Sequence, residues 1–338
     1  MRVGEAMTRS LRPVGIVGVG SYLPEHIITN KDLTKIVDTS EEWILSRTGI
    51  RERRMVDELE ATSDLGTKAA LKALENAGLT PDDVDLIIVG TITPDMAFPS
   101  TACLIQDNLK ASKAAAFDLS AACSGFIYSV SVGSQFVATG QYDTVLVVAA
   151  ESMTRILDFE DRNTCVIFGD GAGAAVLRPV QEGEGFLSFE LGSEGAGGNL
   201  LNQPASGSRK PATLESIQNK EHYLQMNGKE VFKFAVKIMG ESAVRAIKKA
   251  GLTVADVDFL IPHQANTRII DSAVKRLGIS PDKVIVNLDK YGNMSSASIP
   301  VALDEAVKQG LIKKGDNVVM VGFGAGLTWG SCVIKWSI

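Results

Sequence analysis

Residues 77–88 read AGLTPDDVDLII and residues 250–261 read AGLTVADVDFLI, and 250 − 77 sets them 173 residues apart. The same offset separates DTVLVVA at Asp143 from DNVVMVG at Asp316. Two matches at one spacing mark a duplication, and each copy carries its own local signals. Ahead of the first, Leu65, Ala69, Ala70, Ala73, Leu74 and Ala77 fall on one broad face at helical period. Thr62 or Ser63 is the expected N-cap of that helix and Gly78 its C′ residue. Pro81 then opens a turn. Residues 84–89 form an apolar run broken only by Asp85, too short for an isolated helix and rich in branched side chains, which reads as a strand buried on both faces. Gly251 and residues 257–262 repeat the pattern. Helices alternating with buried strands predict a layered α/β protein, and duplication predicts two such halves packed about a pseudo-twofold axis.

The halves are expected at residues 14–185 and 186–338, after a lead-in of residues 1–13 with three arginines and no apolar run of the kind a secretory signal carries. Residues 192–211, rich in Gly, Ser, Asn and Pro, read as a long surface loop at the start of the second half. The chain of 338 residues is 45% hydrophobic and 22% charged, the composition of a folded globular protein large enough for two cores. A net charge of −6 argues against nucleic acid as a general partner. No stretch reaches membrane-spanning length, so a cytoplasmic location is expected. Cys103, Cys123, Cys165 and Cys332 form no CxxC pair and have no histidine close in sequence, which argues against a zinc site and a disulfide framework.

In open α/β sheets ligands gather beyond the carboxyl ends of strands. His263 falls at such an end, matched through the offset to Gly90, and Cys123 matches Ser296, three positions past Asn293. Cys123 lies in FDLSAACSGFIYSVSVG, where an apolar approach gives way to small residues and then to a helix-like stretch. A sulfur at a helix N-terminus meets unpaired N–H groups and the positive end of the dipole, which favour thiolate and lower its pKa. The competing reading is a buried small hydrophobe. Cys103, Cys165 in an expected strand, and Cys332 in the last strand read as core residues. Among His26, His222 and His263, only His263, in IPHQAN, sets a polar ring directly after a buried strand. Asn293, in KYGNMSSASIP, reads either as a site residue or as a turn or N-cap residue. The glycines at 15–20 and in FGDGAGAAV do not make a dinucleotide site, since neither cluster is a GxGxxG turn opening a helix. FGAGLTWG follows a buried strand, and its glycines let the backbone approach a ligand and aim N–H groups at a developing oxyanion.

Taken in order and spacing, AACSGF, PHQAN, YGNMSSASIP and FGAGLTWG resemble the thiolase-superfamily condensing enzymes, most closely β-ketoacyl-[acyl-carrier-protein] synthase III, from Val14 to Ile338. The resemblance implies a thiolase-like α/β fold with two βαβαβ-type halves in an α-β-α-β-α layering, assembled as a homodimer. It implies an acyltransferase without metal or cofactor that starts fatty-acid synthesis. The reaction is a decarboxylating Claisen condensation of a short-chain acyl-CoA with malonyl-acyl carrier protein, giving 3-ketoacyl-carrier protein, CoA and CO2. By that resemblance Cys123 is the acylated nucleophile, His263 Nε2 and the Asn293 amide donate to the enolate, and the N–H groups of Cys123 and Ala325 form the oxyanion hole. A His–Asn pairing matches the CoA-primed branch, whereas elongating ketoacyl synthases use two histidines.

The same resemblance has Trp43 and Arg162 sandwich the adenine of CoA, Arg47 meet phosphate, Thr39 the base edge and Asn266 the pantetheine arm. Phe98 matches the position that reaches across the dimer into the acyl pocket. An acidic carrier protein calls for a basic dock, for which Lys233, Lys237, Arg268, Lys275 and Arg276 are candidates. Two other readings stay open: a relative serving a secondary pathway with another primer or acceptor, and a non-catalytic acyl-CoA-binding scaffold. A scaffold is expected to have lost the nucleophile, which is present here.

Overall fold

The computed structural model describes residues 11–338, so the first ten residues of the expected lead-in lie outside the described part. Arg12 is anchored. Its Nη1 meets Asp143 at 2.6 Å, and its Nε and Nη2 donate to the Val137 carbonyl at 2.9 and 2.6 Å.

The first half contains β1 (Val14–Tyr22), β2 (His26–Thr29), β3 (Glu52–Met55), β4 (Leu86–Gly90), β5 (Ala115–Leu119), β6 (Val145–Glu151) and β7 (Gly171–Pro179). Its main sheet runs β1-β7-β6-β4-β5, with β4 parallel to β5 and β6, and β7 antiparallel to β1 and β6. The second half contains β8 (Gly185–Ser193), β9 (Leu201–Asn202), β10 (Gln225–Met226), β11 (Phe259–Pro262), β12 (Asn317–Gly324) and β13 (Thr328–Lys335). Its sheet runs β8-β13-β12-β11 with the same pattern of directions, and in place of a fifth strand it has a single parallel bridge from Leu260 to Val284.

The strand read from residues 84–89 is buried as expected, with Leu86, Ile87, Ile88 and Val89 at most 1% exposed. Its alternation sends side chains into two different cores. Leu86 and Ile88 pack with Phe126, Ile127 and Val130 of the helix Gly125–Ala138, and Ile87 and Val89 pack with Leu65, Ala69 and Ile105 on the opposite face. The central core also takes Ile299, Ala302 and Leu303 from the helix Ser298–Lys308 and Val318 and Met320 from β12. Beyond the second sheet, Val319 and Val321 meet Ala235, Met239 and Ala243 of the helix Gly228–Lys249 and Ile269 and Ala273 of the helix Thr267–Leu277. The result is five layers, α-β-α-β-α. A side chain such as Ile88 at the middle of one is worth about 2–5 kcal/mol against truncation to Ala.

Duplication extends to the backbone. The 3-10 turns Ala122–Ser124 and Ser295–Ala297 keep the 173-residue offset, as do the starts of the central helices at Gly125 and Ser298. Ala122 and Ser295 both have φ = 47°, which is uncommon for residues with a Cβ and gives the two elbows one shape.

Several expectations are corrected. The helix Thr62–Ala77 is capped by Asp64, whose carboxylate accepts from the Ala61 N–H, while Thr62 Oγ1 donates to the Thr93 carbonyl; Gly78 takes the left-handed conformation as expected, with φ = 67°. Cys165 sits in a turn instead of a strand, because Asp161 captures the N–H groups of Asn163, Thr164 and Cys165. Cys103 is exposed, since the helix Thr101–Leu109 turns its Thr101, Ala102, Ile105 and Leu109 face inward. Residues 192–211 are not one surface loop. They finish β8, make a 3-10 turn over Gly195–Leu200 and form β9, which pairs with β10.

Candidate active site

Past the end of β5 the chain turns sharply at Ala122 and places Cys123, 6% exposed, at the head of the helix Gly125–Ala138. Strand β12 lies directly against this elbow. A Cβ on Gly324 would stand 2.5 Å from the Cys123 nitrogen, and one on Gly322 would stand 3.3 Å from its carbonyl oxygen and 3.6 Å from His263 Cβ, so only glycine permits the approach. His263 follows β11 immediately, donates its N–H to the Val321 carbonyl at 2.7 Å and sets its ring edge-on to Phe323.

Asn293 is a second-half residue held by the first half. Its N–H donates to the Ile167 carbonyl at 2.9 Å and its carbonyl accepts from the Gly169 N–H at 3.0 Å, so the FGDG segment is a clamp for this residue. Its Oδ1 accepts from the Ser295 N–H at 2.8 Å, which leaves the Nδ2 hydrogens for the cavity.

Cys123, His263 and Asn293 line one cavity of about 780 Å³, together with Phe323, Trp43, Arg47 and Asn266. A smaller apolar cavity of about 160 Å³ also reaches Cys123, walled by Ile92, Met153, Ile156, Phe168, Leu224 and Ala325. Ala325 lines this smaller cavity together with Cys123.

Electrostatics depart from the sequence-based expectation of an acidified thiol. Burial pushes the Cys123 thiol up to about 12, and the Glu151 carboxyl adds to the rise. Against these act the Ser295 side chain and the cysteine's own N–H. The Ser295 hydroxyl itself is buried and lacks a full hydrogen-bond partner among the described residues. The helix end is present but enclosed, so desolvation of a bare sulfur anion outweighs its pull. Burial likewise pushes the His263 imidazole down to about 3. The resting pair at neutral pH is a thiol facing a neutral imidazole, and His263 Nδ1 has no partner among the described residues.

The outer residues are placed as follows. The Arg162 guanidinium lies over the Trp43 ring at 5.1 Å and donates to the Asp38 carbonyl, so an inserted ring must displace it. Asn266 caps the helix Thr267–Leu277, accepting from the Arg268 N–H and donating to the Arg47 carbonyl at 2.8 Å, and neither end of its amide is idle. Thr39 Oγ1 is buried without a partner among the described residues, and Thr39 does not line the cavity. Lys233 and Arg276 are paired with Glu230 and Glu241, whereas Lys237, Arg268 and Lys275 are exposed and outside the ion pairs of the described residues. Phe98 is 84% exposed and outside both cavities. Among the described residues, no group of His, Cys, Asp and Glu is placed to hold a metal, and no helix is long and apolar enough to cross a membrane.

Leu201, Leu224 and Glu151 were not anticipated. The first two reach the smaller cavity through β9 and its neighbour segment, strands too short for any periodicity to betray. Glu151 had a signal, since it is a lone carboxylate closing the apolar run VLVVAAE.

Comparison with known proteins identifies the family. The family model described as 3-oxoacyl-[acyl-carrier-protein (ACP)] synthase III matches residues 117–195, and the model of its C-terminal part matches residues 247–336. The beta-ketoacyl-[acyl-carrier-protein] synthase III of Desulfitobacterium hafniense (strain DSM 10664 / DCB-2) is 60% identical over 324 residues, 96% of this chain and 98% of the relative. The crystal structure of 3-oxoacyl-[acyl-carrier-protein] synthase III from Aquifex aeolicus VF5 superposes with a TM-score of 0.89 at 46% identity, covering 96% of this chain and 100% of that one. The priming beta-ketosynthase of the R1128 polyketide biosynthetic pathway superposes with a TM-score of 0.90 at 38% identity, covering 100% and 98%. With a cysteine-bearing elbow, a histidine and an asparagine on one cavity and 60% identity along nearly its whole length to a curated member, the chain belongs to the 3-oxoacyl-[acyl-carrier-protein] synthase III family.

Proposed function

We propose that the protein is an acyltransferase that condenses a short-chain acyl-CoA with malonyl-acyl carrier protein, releasing CoA and CO2 and yielding the 3-ketoacyl-carrier protein that begins a fatty acid. The observation that carries this reading is the convergence of Cys123, His263 and Asn293 on a single cavity. The Cys123 sulfur attacks the thioester carbonyl, its proton leaves with the CoA sulfur, and an acyl-cysteine remains. The N–H groups of Cys123 and Ala325 receive the transient oxyanion. Malonyl-carrier protein then loses CO2, the enolate oxygen accepts from His263 and from Asn293 Nδ2, and the enolate carbon attacks the acyl group and frees the sulfur. A neutral His263 suits this step, because it donates an N–H without carrying a charge into an enclosure lined by Phe168 and Phe323.

Trp43, Arg162, Arg47, Thr39 and Asn266 are assigned to CoA, and Lys237, Arg268 and Lys275, with the half-neutralised Lys233 and Arg276, to the carrier protein. The open edge of the first sheet at β5 and the exposed ring of Phe98 support pairing with a second copy, which would bring that ring to the smaller cavity. The 160 Å³ volume of that cavity supports a short primer. The protein is assigned to the cytoplasm, without metal or cofactor.

Priming of a polyketide pathway is the second reading, supported by the likeness to the R1128 enzyme; 60% identity to the fatty-acid relative, against 38%, favours the first. The test is intact-mass measurement after mixing with acetyl-, isobutyryl- and longer acyl-CoA, followed by malonyl-carrier protein or malonyl-CoA. Acyl mass on the wild type, none on Cys123→Ser, and turnover only with the carrier protein are expected. A wild type that gains no acyl mass defeats the proposal.

A further inference from the structure

The two elbows face opposite halves. Cys123, in the first half, lies against the ends of β11 and β12 in the second, with Gly324 pressed on its nitrogen and His263 sharing its cavity. Ser296, in the second half, lies against the ends of β4 and β6 in the first. Its Oγ is 2.8 Å from the Gly90 carbonyl oxygen and 2.8 Å from Glu151 Oε1. The 173-residue offset that matches Ser296 to Cys123 also matches Gly90 to His263 and Glu151 to Gly324. The chain therefore holds two related pockets. One is an open cavity, and in the other the Glu151 carboxyl fills the space.

Glu151 is fully buried at the end of β6. Its Oε2 accepts from Thr93 Oγ1 at 2.8 Å, Thr91 Oγ1 at 3.1 Å and the Ile92 N–H at 3.1 Å. No cation faces it among the described residues, and burial raises its pKa. Oε1 accepts from the Ser296 hydroxyl and, at 3.4 Å, from the Ser296 N–H, so the carboxyl holds both the backbone and the side chain of this elbow residue.

Ser296 belongs to the elbow whose preceding residue holds Asn293, through the Ser295 N–H and Asn293 Oδ1. We infer that Glu151, acting through Ser296, is a positioning residue that sets the Asn293 amide for the condensation step. The inference rests on the proposed ketoacyl synthase reaction and adds a residue to it that does not touch the reacting atoms.

The experiment separates the two half-reactions in the full-length protein. Acylation of Cys123 by acyl-CoA is followed by intact mass, and CO2 release and condensation are followed with malonyl-carrier protein. For Glu151→Ala and Ser296→Ala, condensation is expected to fall by on the order of tenfold or more while acylation stays within about threefold, the scale of effect when a reacting group is displaced. Glu151→Gln is expected to recover condensation, because its amide can donate to Ser296 and still accept from Thr93 and Ile92. Equal loss in both half-reactions indicates a merely structural residue and overturns the inference. So does unchanged condensation in the Ala variants, and so does a Gln variant as impaired as Ala. If Glu151→Ala does not fold, Ser296→Ala carries the same test. Failure of the wild type to acylate counts against the proposed reaction and not against this positioning role.

Discussion

The elbows at Ala122–Ser124 and Ser295–Ala297 share a backbone shape and differ in what faces them. At the first, Gly322 and Gly324 let β12 come close without filling the cavity, so a sulfur, an imidazole and a carboxamide meet around empty space. At the second, Gly90 replaces the histidine, a serine replaces the cysteine, and Glu151 occupies the volume with hydrogen bonds to both halves. One geometry thus serves chemistry where side chains are withheld and cohesion where they are supplied. The difference teaches that a left-handed elbow alone is not a site; vacancy in front of it is also required.

Filling the first elbow should break the contrast most severely. Gly324→Ala places a methyl 2.5 Å from the Cys123 backbone nitrogen, one of the proposed oxyanion donors. Acylation by acyl-CoA is expected to drop on the order of a hundredfold, read as the rate of mass gain, with the protein still folded by circular dichroism. An unchanged rate would mean that β12 does not frame the sulfur.

A second effect concerns the charge state that enclosure imposes. With the thiol pushed up to about 12, the reactive thiolate is scarce at neutral pH and its fraction grows about tenfold per pH unit. Alkylation of Cys123 by iodoacetamide should keep rising from pH 6 to 10 without a plateau. A plateau near pH 7 would show that the helix N-terminus wins over burial.

The smallest effect belongs to the second elbow. Gly90→Ala brings a methyl to 3.0 Å from Ser129 Oγ and 3.1 Å from Gly125, a crowding that neighbours can partly absorb. A loss of about 1–3 kcal/mol in stability is expected from denaturant melts, with Cys123 acylation nearly unaffected. Loss of acylation without loss of stability would mean that this elbow takes part in that chemistry directly.

Much of this was legible in advance because it is written locally. The helix Thr62–Ala77 and β4 announce themselves by period and by Gly78, and the repeated AGLT and DVD words place the second copy. Cys165 misled, because TCVIFG has a strand's composition and only the folded turn reveals Asp161 taking its N–H groups. Cys103 misled because a short apolar helix does not say which of its sides is covered. The walls supplied by Leu201 and Leu224 come from a strand held by two residues of pairing and from the residue just before its partner strand, where burial and not propensity selects the conformation.

By itself, then, the sequence determined the duplication, the layered class and which side chains, Cys123, His263 and Asn293, were candidates for one cavity, since these depend on spacing and residue type. Only the tertiary structure decided which elbow stays open, that the sulfur and imidazole rest uncharged, and that Glu151 stands where Gly324 stands in the other half. The physical reason is that vacancy and desolvation belong to the packed assembly of both halves, and no local run of residues carries them.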